Sequence, residues 1–259
     1  MIVLLYHQIS TIAAEYDPLR LAVSPQHFSE QMEYLKKNDY SCISLESLVK
    51  AKITGEKLSE RAFAITFDDG YSDNYEQAFP ILQDYNFTAT IFLVTSRVGN
   101  SVNWEGVENQ KFHLMTWEQA LEMSNNGFHF GSHTHTHLDL TRYGQEDLNF
   151  ELVHSKEILE QKLSVPVRMF AYPYERVTTS LMEQVAQANY LAAFGSLRFP
   201  ESCYNFWRRE CFGSDTMRAF RYKLSDNWRR AALFKYHSSV GKSLGFLKRQ
   251  FKQKISIFS

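Results

Sequence analysis

The sequence predicts an α/β fold, and three observations predict it. Short apolar runs alternate along the chain with longer amphipathic stretches, the pattern of strands exchanged with helices. Polar clusters follow directly after four of the apolar runs, at His7, at Asp68-Asp69, around His133 and at Tyr172 to Tyr174. The length of 259 residues, 44% of them hydrophobic, suits one large domain of the size that α/β barrels reach.

In chain order, Ile2 to Tyr6 reads as a first core strand. Ser24-Pro25 caps a helix from Gln26 to Lys37, with Phe28, Met32 and Leu35 on its apolar side. Ala62 to Phe67 is a strand that runs into Asp68-Asp69-Gly70. A helix follows over Ser72 to Tyr85, and the β-formers of Thr88 to Val94 make the next strand. Residues 95 to 114 lack periodicity and read as an irregular insertion at the rim of a site. Thr116 and Gln119 form a capping box for a helix that stops at Asn126-Gly127. Phe128 to Phe130 is a short strand feeding Gly131-Ser132-His133-Thr134-His135-Thr136-His137. A long helix spans Gln145 to Leu163, and the strand Val167 to Ala171 ends at Tyr172-Pro173-Tyr174. A helix over Thr179 to Ala188 and a strand over Tyr190 to Phe194 complete the alternation.

Composition narrows the functional classes. A formal charge of −1 creates no global field toward nucleic acid, and no nucleic-acid motif occurs. Cys42, Cys203 and Cys211 have no C-x-x-C spacing, so free buried thiols are expected rather than a disulfide framework or a thiolate zinc site. The opening residues lack the basic n-region and apolar length of a signal peptide, and no stretch approaches the ~20 apolar residues of a membrane span. A cytoplasmic chain is the expectation. The strongest composition shift falls near residue 215, since Thr216 to Ser259 holds 11 Lys or Arg against one acid, Asp226. The division expected is a catalytic domain over residues 1–215 and a basic amphipathic appendage over 216–259. With Trp228, Leu233, Phe234, Phe246 and Phe251 interleaved among its cations, that appendage suits either an anionic membrane surface or a packed helix with a solvated basic face.

The strand-end clusters carry the chemistry. In βα folds the carboxyl ends of the strands share one face, so the four clusters converge there. Adjacent carboxylates repel and are costly to desolvate without a cation or proton between them. Asp68 and Asp69 can split the roles, one holding a metal while the other accepts a proton from water; a solvated Asp-Gly turn is the bland alternative. His133 and His137 are four apart, so one helical turn or a compact loop brings both rings to one side of a metal, and a helical turn would point His135 away. An extended segment would instead put all three on one side. With Asp69 the first geometry yields a two-histidine, one-carboxylate site suited to Zn2+, or to Co2+, Ni2+ or Fe2+.

Thr66-Phe67-Asp68-Asp69-Gly70 followed by His133-Thr134-x-x-His137 resembles the first two motifs of the polysaccharide deacetylases, the NodB-like carbohydrate esterases of family 4. Phe170-Ala171-Tyr172-Pro173-Tyr174 resembles the third motif as it occurs in the poly-N-acetylglucosamine deacetylase branch. Leu5-Tyr6-His7 resembles that branch's circularly permuted first strand. The likeness runs from residue 3 to about residue 195. It implies a distorted (β/α)7 barrel and an enzyme that removes N-acetyl groups from amino sugars of a polysaccharide or glycan precursor. By that resemblance Asp69, His133 and His137 hold one divalent metal, Asp68 is the base, His7 is the general acid and the backbone N–H of Tyr174 meets the oxyanion. Pro173, Tyr172 and Tyr71 fall at the substrate, and Tyr71, Tyr172, Tyr174, Trp104 and Trp117 are candidates to line a sugar groove.

Two positions depart from the family pattern. Glu175 stands where Gly usually follows the Tyr of the third motif, and a left-handed turn is strained with Glu, so a different loop is expected. The Arg that orients the base is not at its usual place, and Arg208 or Arg209 is the candidate to replace it. The rival functions are another metal amidohydrolase built on His133-x-His135, an O-acetyl esterase on the same site, and a non-catalytic glycan-binding module.

Overall fold

The computed structural model describes residues 1–104 and 112–238. Residues 105–111 of the expected insertion and residues 239–259 of the appendage lie outside that range. The strands are β1 (Ile2–Tyr6), β2 (Gln8–Ile9), β3 (Ala22–Val23), β4 (Ser41–Cys42), β5 (Ala62–Phe67), β6 (Thr90–Leu93), β7 (His129–Ser132), β8 (Met169–Ala171), β9 (Ala192–Phe194) and β10 (Arg209–Glu210). The helices are α1 (Pro25–Lys37), α2 (Leu45–Thr54), α3 (Phe79–Asp84), α4 (Trp117–Asn125), α5 (Gln145–Asn149), α6 (Ser155–Leu163), α7 (Thr179–Gln187), α8 (Met217–Leu224) and α9 (Asp226–His237).

Seven strands form a continuous parallel path in the order β10-β1-β5-β6-β7-β8-β9, with β4 added beside β5. Residues 206 to 210 close the curl. Phe206 bridges to Phe194 at the β9 edge, and three residues later Arg209 pairs with Leu4 of β1. Family resemblance and topology agree on a (β/α)-barrel.

The central strands are apolar throughout because both faces of the sheet are buried, and the pleat sends successive side chains to opposite faces. Leu4, Tyr6, Phe63, Ile65, Phe67, Ile91 and Phe170 pack in one large cluster with Phe28, Met32 and Leu35 of α1 and Leu159 and Leu163 of α6. Their neighbours Val3, Ala62, Ala64, Phe92, Ala171, Ala192 and Phe194 form a second cluster on the opposite face, rich in alanine. Gly131 fits this second face: a Cβ there would fall 2.5 Å from the Phe92 ring and 2.9 Å from Met169 O. Ring and backbone therefore require the missing side chain.

Helix ends follow local chemistry. The Ser24 side chain accepts from the His27 N–H with Pro25 in the first turn, and the expected Thr116–Gln119 capping box is formed in both directions. The expected helix over Ser72 to Tyr85 contains a wide π-turn at Asn74–Ala78, and the expected long helix contains a second at Phe150–His154. Each inserts residues that a regular helix cannot accommodate. Of the insertion, the described ends bridge Tyr71 to Leu114 and Ser101 to His113 and cover Tyr71 with Val102 and Trp104.

Beyond residue 215 the described chain packs on the barrel. Phe220 and Leu224 of α8 join the large core cluster, and the Arg209 guanidinium donates to the Lys223 and Ser225 carbonyls while lying over Trp228. All three cysteines are free. Contrary to the expectation of buried thiols, Cys203 is exposed, because it sits in the turn before the closing segment. No helix among the described residues is long and apolar enough to cross a membrane.

Candidate metal centre and active site

The loops after β1, β5, β7 and β8, together with the closing segment, meet at one end of the barrel. Asp68 and Asp69 follow β5 and separate at once. Asp69 adopts a left-handed backbone (φ 73°), and Gly70 (φ 79°) continues the reversal. The two carboxylates consequently face different partners.

Asp69 Oδ1 lies 3.3 Å from His133 Nε2 and 3.3 Å from His137 Nε2, and all three side chains are buried. The compact loop forms, and neither the helical turn nor the extended segment does. The segment is a loop with left-handed Thr134 (φ 72°) and His137 (φ 65°), closed by a hydrogen bond from His137 N to Thr134 Oγ1 at 2.9 Å. His135 still turns away, with Nδ1 at 2.9 Å from Thr95 Oγ1 and its ring against Phe150 and His154.

These residues fit a bound cation. His133 Nδ1 lies 2.8 Å from the Ala171 carbonyl, which only accepts, so Nδ1 carries the proton. In the neutral ring Nε2 then presents a lone pair to a carboxylate oxygen. Two imidazoles and a carboxylate aimed at one point demand positive charge, and a single divalent ion satisfies all three. Among the described residues Asp69, His133 and His137 are the group whose ligand atoms converge in this way. The electrostatics agree. Burial pushes the Asp69 carboxyl up, but its close contacts with the His133 and His137 imidazoles outweigh it and hold the group well below the usual range. Burial lowers His137, whereas at His133 the nearby Asp68 and Asp69 overcome burial and raise it.

Asp68 is locked by Arg208 through two parallel bonds of 2.6 and 2.7 Å, both groups buried. The guanidinium also lies over the rings of Phe92 and Phe194, 5.5 and 5.8 Å from their centres. Burial acts to raise Asp68, but Arg208 dominates the remaining influences and holds it ionised below the normal carboxylate range. Arg209, the other candidate, points the opposite way to Lys223, Ser225 and Trp228, as the strand alternation of the closing segment requires. Neither arginine is a surface charge.

His7 follows β1 within electrostatic reach of Asp68, Asp69 and Glu210. Its carbonyl accepts from Asn74 Nδ2 at 2.8 Å, and Asp73 Oδ1 accepts from Ile9 N at 3.1 Å. The first π-turn thus anchors the segment that bears His7. Burial pushes Asp73 up to about 7 despite these bonds.

The third motif forms the short turn Pro173–Glu175. Tyr174 (φ 58°) and Glu175 (φ 50°) are both left-handed, so the strain expected of a Glu in such a turn is present. Burial raises the Glu175 carboxyl to about 7, with Arg208 opposing. Tyr174 is 37% exposed, and its ring stands 4.7 Å from His137; Trp104 stands 4.3 Å from the same imidazole and packs edge-on to Tyr71. Pro173 and Tyr71 are buried beside this cluster. Tyr172 is a correction: its side chain is buried in the core and its hydroxyl donates to the Tyr204 carbonyl, so it lines no open groove. Trp117 likewise opens α4, packed on the core beneath Lys162.

The sequence reading missed Asp73, Asn74 and Glu151. Each is a polar residue inside a helical stretch, and only the π-turns, which carry no sequence signature, turn them toward the site.

Fold and site together define a parallel (β/α)-barrel protein with a buried cation-seeking cluster at the strand ends. The chain belongs to the polysaccharide deacetylase family, whose model matches residues 55–193. It is 29% identical over 188 residues to the Bacillus subtilis protein YxkH, covering 73% of this chain and 61% of that one. It is 31% identical over 175 residues to the poly-beta-1,6-N-acetyl-D-glucosamine N-deacetylase of Staphylococcus epidermidis, covering 64% and 58%. The chain therefore spans about three fifths of these relatives. Among solved structures, a polysaccharide deacetylase from Bacillus cereus superposes with a TM-score of 0.71 at 26% identity, over 86% of this chain and 68% of that one.

Proposed function

We propose that the chain is a metal-dependent hydrolase that removes N-acetyl groups from N-acetylglucosamine units of a polysaccharide or glycan precursor, releasing acetate. One observation carries the reading: Asp69, His133 and His137 converge on one point while the neighbouring Asp68 is held apart, ionised, by Arg208. Family membership and the named activity of the Staphylococcus epidermidis relative support the substrate class.

Asp69, His133 and His137 would hold one divalent ion, Zn2+ in our reading, which would supply Lewis acidity to the acetamide carbonyl. Asp68 keeps free lone pairs beyond its two bonds to Arg208 and accepts the proton of the attacking water. The bonds to Arg208 fix the plane in which it does so. The backbone N–H of Tyr174 is the donor for the oxyanion, and the left-handed turn is what re-aims it. His7 delivers a proton to the departing amine. Tyr174 flanks His137 and offers an exposed face on which a pyranose ring stacks, with the buried Trp104 backing the same imidazole.

Acetate release from N-acetylglucosamine oligomers, measured after chelation and again after Zn2+ is restored, tests the reading. Activity that falls with the chelator and returns with the metal is expected. Release from O-acetylated glycans alone would make the protein an esterase, and sugar binding without any acetate would make it a binding module.

The exposed Arg230, Leu233, Phe234 and Lys235 of α9 favour a second reading for the appendage, contact with an anionic membrane. Flotation of the full chain with phosphatidylglycerol vesicles, but not with phosphatidylcholine vesicles, is the expected result.

A further inference from the structure

The loop between His133 and His137 is held from below by a carboxylate that the proposed mechanism does not use. Glu151 is buried, and its Oε2 accepts from His135 N at 2.8 Å and from Thr136 N at 2.9 Å, while its Oε1 accepts from Thr136 Oγ1 at 2.6 Å. Those donors lie on the two residues between the left-handed Thr134 and the left-handed His137. A β-branched Thr does not adopt that conformation unaided. The three bonds tie the strained segment to a helix. They are joined from the other side by Thr95 N to Thr134 O at 3.2 Å and Ser96 N to His135 O at 2.9 Å.

The second π-turn delivers this carboxylate. Its loosened carbonyls find side-chain partners, Glu151 O accepting from the Ser155 hydroxyl and Leu152 O from the Tyr190 hydroxyl, each at 2.7 Å. The Ser155 oxygen lies 2.7 Å from the Ser132 oxygen, which in turn accepts from Thr134 N at 3.2 Å. The π-turn and the histidine loop thus share one buried network, and such networks are stringent only when every member is satisfied.

We infer that Glu151 is the positioning residue of the metal centre: it sets the separation and aim of the His133 and His137 imidazoles without touching the metal. The inference rests on the metal-site reading above. A group that orients ligands in this way typically accounts for ~10- to 100-fold in metal affinity. Geometry rather than charge is the operative property. A glutamine at this position can accept both backbone N–H groups through its oxygen and donate to Thr136 Oγ1 through its amide.

The test is titration of the chelator-stripped full chain with Zn2+ in a calorimeter, and the visible absorption of the same proteins loaded with Co2+, which reports ligand geometry. Glu151→Ala is expected to weaken Zn2+ binding ~10- to 100-fold and to alter the Co2+ spectrum, and Glu151→Gln to stay within ~3-fold of the unmodified protein with the same spectrum. Thr136→Val, which removes one of the three bonds, gives a loss of ~3- to 10-fold and decides the matter if the alanine variant does not fold. Zn2+ affinity unchanged in Glu151→Ala, or in Thr136→Val where the former is insoluble, overturns the inference, as does a glutamine variant as weak as the alanine one. No Zn2+ binding by the unmodified protein removes the metal-site reading itself, and this role with it.

Discussion

Left-handed backbone occurs in two kinds of place in this molecule, and the residues found there differ. At ordinary turns it falls on Arg20, Asp39, Asn86, Ser164 and Asn189, mostly short polar residues that tolerate it. At the mouth of the barrel it falls on Asp69, Thr134, His137, Tyr174 and Glu175, where a β-branched side chain, an imidazole and a phenol carry it. Such positions cost ~1–3 kcal/mol each and persist only where the surroundings dictate them. The turns minimise strain; the mouth concentrates it. Each strained residue at the mouth either belongs to the metal cluster, lies between its two histidines, or re-aims the backbone beside it.

Paired substitutions, one at the mouth and one at a turn, test that division. The largest effect is expected at Asp69. Asp69→Asn keeps the shape and the tolerance of a left-handed backbone, yet loses Zn2+ binding and at least ~1,000-fold of acetate release, because several kcal/mol of transition-state stabilisation go with the metal. Asp39→Asn, at an exposed turn, leaves both measurements unchanged.

Next comes Arg208→Ala, which strands the buried Asp68 carboxylate and is expected to cost ~3–5 kcal/mol in chemical denaturation. Arg61→Ala, removing an exposed partner 3.9 Å from Asp39, costs less than ~1 kcal/mol. An equal loss in the two variants would break the distinction between mouth and turn.

A smaller effect is read through pH. The folded chain raises Asp73 to about 7 from an ordinary 3.8. Between those values the folded protein keeps a proton that the unfolded chain has released, so stability is fully present below the lower value and is lost as pH rises through the upper one. Asp73→Asn removes that loss. Its melting temperature should gain on the unmodified protein at pH 8 and not at pH 4, and a pH-independent difference would contradict the assignment.

The smallest effect sharpens the comparison. Glu175→Gly relieves a left-handed Glu and is expected to stabilise by ~0.5–1 kcal/mol, whereas Asn86→Gly changes stability by less than ~0.5 kcal/mol. If Glu175→Gly destabilises instead, the turn is held by the Glu side chain and is not a site of strain.

The strand ends were legible in the sequence because short apolar runs stop at the Asp-Asp-Gly and histidine clusters, which mark them directly. Ile2–Tyr6 and Ala62–Phe67 have the expected bounds. The helix α2 went unread although Ser44 caps it and Gly55 ends it in a left-handed turn. Strands of two residues, such as β4 and β10, carry no periodic signal at all. Adjacency defeated the choice between Arg208 and Arg209: the two point to opposite faces, and only the register Leu4–Arg209 decides which meets Asp68. The loop from His133 to His137 was beyond local reading for a different reason. Its conformation is imposed by Glu151 and by the end of β6, which are distant in the chain.

The position of β1 has a consequence for the order in which the protein is made. Leu4 is made before Ile65 and long before Arg209, yet it sits between the two in the sheet. Its second neighbour belongs to the last strand of that sheet to be made. Until then one edge of the nascent sheet stays open, a state that invites mispairing. Asp68 waits equally long for its guanidinium partner. A polypeptide stalled before residue 208 would carry Asp69, His133 and His137 and still lack the guanidinium that clasps Asp68.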